Sequence, residues 1–203
     1  MEEIANLLLK SGIVEINFEK PFKFTSGRLS PIYCDNRILL SQPENRKLII
    51  NELQKKIIEQ NLLFDIISGI ATASIPWASM LAFALDKPLI YVRKSDKSHG
   101  LMKRIEGKFK KRDRVLLIED LISTGTSAID SIMALRQAGL IVEHCFAIFT
   151  YNIDNANKKF WDIGVRAISL TDITELLGIT IKKRIITKNQ SNDVYKALGI
   201  LPK

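Results

Sequence analysis

Val115-Leu116-Leu117-Ile118-Glu119-Asp120-Leu121-Ile122-Ser123-Thr124-Gly125-Thr126-Ser127 joins an apolar run to two adjacent carboxylates and then to a hydroxyl-rich loop. Val115 to Ile118 is short and β-branched, as suits a strand buried on both faces of a parallel sheet. Glu119 and Asp120 then fall at its carboxyl end, where open α/β sheets place their ligands. Ser123, Thr124, Thr126 and Ser127 supply hydroxyl donors, and Gly125 admits close approach of backbone amides. A helix beginning at Ser127 turns its free N–H groups towards that loop, so the whole favours an anion. Carboxylates repel phosphate; the acid pair therefore suits vicinal hydroxyls, or a metal ion held between them. A phosphorylated sugar needs both halves, whereas the plain alternative is a strand, turn and helix cap with its acids in water. The loop lacks the lysine of G-x-x-x-x-G-K-[ST], and no G-x-G-x-x-G follows a strand, so nucleoside-triphosphate and dinucleotide fingerprints are absent.

Outward from this stretch, strand-length apolar runs alternate with helical patterns. Ile4, Leu7 and Leu8 mark a short first helix stopped at Gly12. Ser41 and Glu44 have the spacing of a capping box, with Pro43 in the first turn of a helix running to about Gln60. Phe64 to Ser68 reads as a strand ending at Gly69, followed by a small-residue loop from Ile70 to Ser74 and a helix bearing Pro76, Leu81 and Leu85. Pro88 to Arg93 is a strand, the helix after the acidic stretch ends at Gly139, and Val142 to Thr150 is another strand. Asn152 to Asp162 reads as a polar helix, Arg166 to Leu170 as a last strand, and Thr171 to Leu177 as a short helix with Asp172 available for capping; the tail from Lys182 is uninformative. The alternation predicts an α/β fold, a central, mainly parallel sheet flanked by helices. Phe18 to Arg37, with Pro21, Gly27 and Pro31, reads as a hairpin or two short strands outside that sheet. Its aromatics either pack on the core or form a hood over a planar substrate, with Tyr33 as the stacking surface.

With 203 residues, 46% of them hydrophobic, the chain is expected to form a single domain, residues 1–203, with a hood at about 13–40. No stretch approaches about 20 uninterrupted apolar residues, and the Met1-Glu2-Glu3 start does not resemble a signal peptide. A cytoplasmic protein without a membrane partner is expected. Cys34 and Cys145, far apart and outside any C-x-x-C, read as buried thiols. The net charge of +8 is concentrated: Arg93 to Arg114 holds ten Lys or Arg against three acids, while the rest of the chain holds twenty against nineteen. Such a strip binds a polyphosphate as readily as a nucleic-acid backbone; its place just before the acidic stretch favours a small ligand over nucleic acid. The polar segment at about 94–107, rich in Gly, Ser and Lys, reads as a mobile loop able to close over an anion, or as a solvated charge run. Arg93, Lys94, Lys97 and His99 open it.

VLLIEDLISTGTS resembles the phosphoribosyl-diphosphate signature of the type I phosphoribosyltransferases, in which two acidic residues bind ribose hydroxyls and the loop holds the 5-phosphate. YVRKSDKSHGLMKRIEG, from Tyr91, resembles the catalytic loop of orotate phosphoribosyltransferases, and FTSGRLSPIYCDNR, from Phe24, resembles their hood. The resemblance implies a pentosyltransferase that converts orotate and phosphoribosyl diphosphate to orotidine 5-monophosphate and pyrophosphate, towards UMP. It implies magnesium bound mainly through substrate oxygens, and a homodimer whose Lys97 and His99 are the catalytic residues of the partner's site. By position, Arg93 and Lys94 join them around the diphosphate. Glu119, Asp120, Leu121, Ile122, Ser123, Thr124, Gly125, Thr126 and Ser127 hold phosphoribose, with Ser123 touching orotate. Some members carry a lysine where this chain has Thr25, a lysine at Ala73 and an arginine near Tyr151, so here Arg28 and hood amides are left to meet the orotate carboxylate. A transferase for another base keeps the signature, but the hood and loop argue against it; a nucleic-acid-binding sensor of phosphoribosyl diphosphate requires a helix-turn-helix or an extensive basic face, and Lys97 with His99 favours an enzyme.

Overall fold

The computed structural model describes residues 2–24, 27–94, 104–153 and 156–201. Helix α1 (Glu2–Lys10) buries Ile4, Ala5 and Leu8 and gives way to Gly12 at φ 73°. Four short strands follow where a hairpin or two strands were expected. β1 (Val14–Ile16) pairs antiparallel with β4 (Ile32–Cys34), while β2 (Phe22–Lys23) pairs with β3 (Leu29–Ser30). Both ribbons stand apart from the main sheet.

A 3₁₀ turn, Asn36–Ser41, leads into α2 (Pro43–Glu59). The expected capping box does not form, because the Ser41 hydroxyl donates to the Ile38 carbonyl of its own turn at 2.9 Å and Gln42 becomes the N-cap without a side-chain bond. Pro43 begins the helix, where its missing N–H is harmless.

The main sheet contains β5 (Ile66–Ile70), β6 (Leu89–Val92), β7 (Ile105–Glu106), β8 (Arg114–Ile122), β9 (Ile141–Thr150) and β10 (Arg166–Asp172), in the order β10-β9-β8-β5-β6-β7. All neighbours are parallel except β6 and β7. Between the strands lie α3 (Ile75–Ala84), α4 (Thr126–Gln137) and α5 (Ala156–Asp162), and α6 (Ile173–Lys182) and α7 (Lys188–Leu198) follow the last one. Leu116 and Ile118 of β8 join the core under α1, α2, α3, α6 and α7, while Val115 and Leu117 join the core under α4 and α5. Burial on both faces explains the unbroken apolar reading of that strand. The expected α/β architecture, a mainly parallel sheet flanked by helices, is the one observed.

Of the boundaries that differ from expectation, three change an element most. β7 pairs with β6 through Tyr91↔Glu106 and Val92↔Ile105, so the segment expected as loop to residue 107 returns to the sheet earlier; residues 95–103 lie outside the described residues, and Lys97 and His99 with them. The tail forms α7, opened by a true capping box in which Thr187 and Gln190 bond reciprocally. β8 runs past both acids to Ile122, because β9 continues to pair with it as far as Ile122↔Thr150. On its other side β8 pairs with β5 only to Gly69↔Ile118. The acids therefore sit where β8 outruns β5, beside residues 71–74. No helix among the described residues is long and apolar enough to cross a membrane.

Candidate active site

Two cavities meet at the carboxyl end of β8. One, of about 480 Å³, is bordered by the hydroxyl loop Ser123 to Ser127, with Lys94, Glu119 and Asp130. Gly125, at φ 77°, closes the turn into α4, and a Cβ there would meet the Phe160 ring at 3.0 Å. Thr124 and Thr126 exchange a hydroxyl bond at 3.0 Å, while the Ile153 N–H and Lys159 Nζ donate to the Ser123 and Thr124 carbonyls at 3.2 and 3.4 Å. Those contacts leave the first-turn amides of a twelve-residue helix facing the cradle.

The other cavity, of about 310 Å³, lies under the hood between Phe24, Tyr33, Ala73, Asp120 and Tyr151. Its aromatic wall is continuous: Tyr33 stacks on Phe22 with centroids 5.7 Å apart, and Phe24 lies 6.3 Å from Tyr33 and 5.3 Å from Tyr151. Tyr33 stands in that wall, and one of its faces already carries Phe22. Such a slot accepts a flat, partly polar ring. Leu121 and Ser123 border both cavities, so one short wall separates a slot suited to a planar group from a cradle suited to an anion.

The two acids are not equivalent. Glu119 is only 7% exposed and accepts a hydrogen bond from Ser74 Oγ. Burial, and then the neighbouring Asp120, hold its carboxyl well above the ordinary range. Asp120 borders the aromatic cavity and is half-buried. Its N–H donates to Ser74 Oγ at 3.1 Å and its carbonyl accepts from Asn36 Nδ2 at 2.7 Å.

Around the basic segment, Arg93 Nη1 lies 3.2 Å from Glu106 and Arg104 pairs with Asp130. Arg28 does not border the aromatic cavity; its Nη1 donates to the Ala197 carbonyl at 3.3 Å, which ties the turn before β3 to α7. Lys23 and Arg37 are the cations at that cavity. Arg37 is held by Asp35 through bonds of 2.6 and 2.7 Å, and that guanidinium lowers the Asp35 carboxyl below its usual range. Sequence reasoning missed Ser74, Asn36, Lys23 and Arg37. Ser74 and Asn36 meet Asp120 across 46 and 84 residues, a pairing no local pattern announces. Cys34 and Cys145 are buried free thiols, as expected.

The phosphoribosyl transferase domain model matches residues 39–183. The chain is 45% identical to the orotate phosphoribosyltransferase of Coxiella burnetii over 184 residues, 91% of this chain and 88% of that one. It is 42% identical to that of Streptococcus thermophilus over 185 residues, again 91% and 88% of the two chains. Among solved structures, orotate phosphoribosyltransferase from Aeropyrum pernix superposes with a TM-score of 0.77 at 32% identity, over 87% of this chain and 97% of that one. Leishmania donovani UMP synthase superposes with a TM-score of 0.82 at 33% identity over 98% of this chain, which spans 42% of that longer protein. With its sheet order, its acid-and-hydroxyl strand end and these relatives in agreement, the chain belongs to the phosphoribosyl transferase domain family and, within it, to the orotate phosphoribosyltransferases.

Proposed function

We propose that this chain transfers phosphoribose from 5-phosphoribosyl 1-diphosphate to orotate, yielding orotidine 5-monophosphate and pyrophosphate on the route to UMP. The observation that carries the reading is the wall of Leu121 and Ser123 shared by an anion cradle and an aromatic slot. The 5-phosphate rests on the hydroxyls and amides of Ser123 to Ser127, the ribose hydroxyls meet Asp120, and orotate lies under Phe24 and Tyr33. A ring nitrogen of orotate then forms a bond to C1 and gives up its N–H proton as the C1–O bond to diphosphate breaks, and the electron pair leaves with the diphosphate oxygen, to which that proton passes in the overall balance. Positive character builds on the ribose ring and negative charge on the leaving group, so preorganised cations are the main electrostatic contribution. Lys94 borders the cradle and Arg93 precedes it, and Lys97 and His99 of the partner subunit complete the set on this reading. Water is kept from C1 by the hood.

Magnesium, when bound, neutralises diphosphate charge. No group of three or more His, Cys, Asp or Glu is arranged for a metal among the described residues, and Ser74 already engages Glu119. That donor set fits an ion held by substrate oxygens and water, as magnesium prefers, with Asp120 beside the ribose. The proposal includes a homodimer in which Lys97 and His99 serve the partner's site. A cytoplasmic setting accords with the two unpaired thiols.

The test is the loss of orotate ultraviolet absorbance on adding phosphoribosyl diphosphate and magnesium, with uracil and hypoxanthine as rival bases. Consumption of orotate alone is the expected result; turnover of another base, or none by folded protein, contradicts the reading.

A further inference from the structure

In a parallel sheet each backbone N–H and C=O finds its partner on a neighbouring strand. Asp120 has lost that partner on one side, since the last pair between β8 and β5 is Gly69↔Ile118. Two side chains occupy the gap. Ser74, fully buried at the entrance to α3, receives the Asp120 N–H at 3.1 Å, and Asn36, 1% exposed at the head of the 3₁₀ turn, donates to the Asp120 carbonyl at 2.7 Å. Ser74 Oγ also lies 3.4 Å from Asp120 Oδ1, a longer contact than the one it makes to Glu119. A serine hydroxyl has one proton, which Ser74 gives to Glu119 Oε1, so its lone pairs are what the Asp120 N–H meets. Cys34 Sγ donates to Asn36 Oδ1 at 3.4 Å, which turns the amide nitrogen towards Asp120. Glu119 Oε1 also accepts from the Asp120 N–H at 3.1 Å, so it serves the same small network from inside the protein.

We propose that Ser74 is a positioning residue of this site: it replaces the missing strand, fixes the peptide of Asp120 and thereby aims the Asp120 carboxylate at the ribose, with Glu119 as its internal acceptor. Ser74 touches no reacting atom. The proposal rests on the reading of Asp120 as the ribose-binding carboxylate. A neutral, inward Glu119 agrees with the upward displacement of its carboxyl by burial.

The experiment compares Ser74→Ala, Ser74→Cys and Asp120→Asn in the full chain, with KM and kcat for each substrate and calorimetric binding of phosphoribosyl diphosphate with magnesium. Ser74→Ala is expected to raise the KM for phosphoribosyl diphosphate about tenfold while that for orotate moves less than twofold, since only the ribose contact is misaimed. Ser74→Cys, nearly isosteric with a weaker donor, is expected between wild type and Ser74→Ala, and it carries the test if the alanine variant does not fold. Equal losses for both substrates, or an unchanged KM for phosphoribosyl diphosphate in the Ser74 variants while Asp120→Asn binds it poorly, overturn the positioning role alone. Wild-type binding by Asp120→Asn removes the ribose reading and the proposal with it.

Discussion

The anion cradle and the aromatic slot differ in how the chain makes them. The cradle is one continuous stretch, Ser123 to Ser127, shaped by a single strand-to-helix turn and fixed by a left-handed glycine. The slot is assembled from the hood, residue 73, the end of β8 and the residue after β9. A site made by one turn is set by local backbone geometry, whereas a site made by several segments depends on tertiary packing. On the proposed reading the cradle takes the phosphoribose and the slot sets the choice of base.

The sharpest break between the two halves is expected from Lys97→Ala. Loss of a cation at the leaving diphosphate is expected to reduce kcat by about 10²- to 10³-fold with little change in the KM for orotate, read by steady-state kinetics. If Lys97 acts in the partner's site, co-expression of Lys97→Ala and Asp120→Asn subunits restores activity to mixed dimers, and its absence there places Lys97 in its own subunit's site.

Gly125→Ala acts on the cradle through the backbone. The left-handed conformation costs a residue with a Cβ about 1–2 kcal/mol, and the new atom meets the Phe160 ring at 3.0 Å, held in the core. A fall in Tm of several degrees and a rise in the KM for phosphoribosyl diphosphate are expected together. Phe24→Ala acts on the slot instead. It opens the aromatic wall beside Tyr33 and Tyr151 and is expected to raise the KM for orotate by about tenfold, with the KM for phosphoribosyl diphosphate nearly unchanged.

The smallest expected effect is one of pH. Asp35 is ionised and held low by Arg37 in the folded chain, so the folded state binds fewer protons than the unfolded one in the acid range. Its contribution to stability is therefore present above the ordinary carboxylate pKa and is lost as pH falls through the lowered one. Thermal melts of Asp35→Asn are expected to lose that part of the acid dependence while matching wild type in slope at neutral pH.

These contrasts follow what was legible in the sequence. The cradle, the parallel sheet and the hood were readable because periodicity, Gly125 and the hydroxyl run are local signals. The length of β8 was not, since Glu119 and Asp120 look like a turn until β9 is seen to pair beyond them. Ser41 looked like a cap but spends its hydroxyl on Ile38. The T-x-x-Q of Thr187 to Gln190 was a readable start for α7 hidden in a basic tail. Arg28, the apparent carboxylate reader, faces α7, and the grip of Ser74 and Asn36 on Asp120 comes only from tertiary contact.

The central claim is that one short wall separates a phosphate cradle from a base slot, and product binding tests it most directly. Calorimetry would compare ribose 5-phosphate and orotidine 5-monophosphate on wild type, Gly125→Ala and Phe24→Ala. The account predicts that Gly125→Ala weakens both ligands, while Phe24→Ala weakens only orotidine 5-monophosphate. Ribose 5-phosphate that binds Gly125→Ala as tightly as wild type, or that is lost from Phe24→Ala, contradicts it.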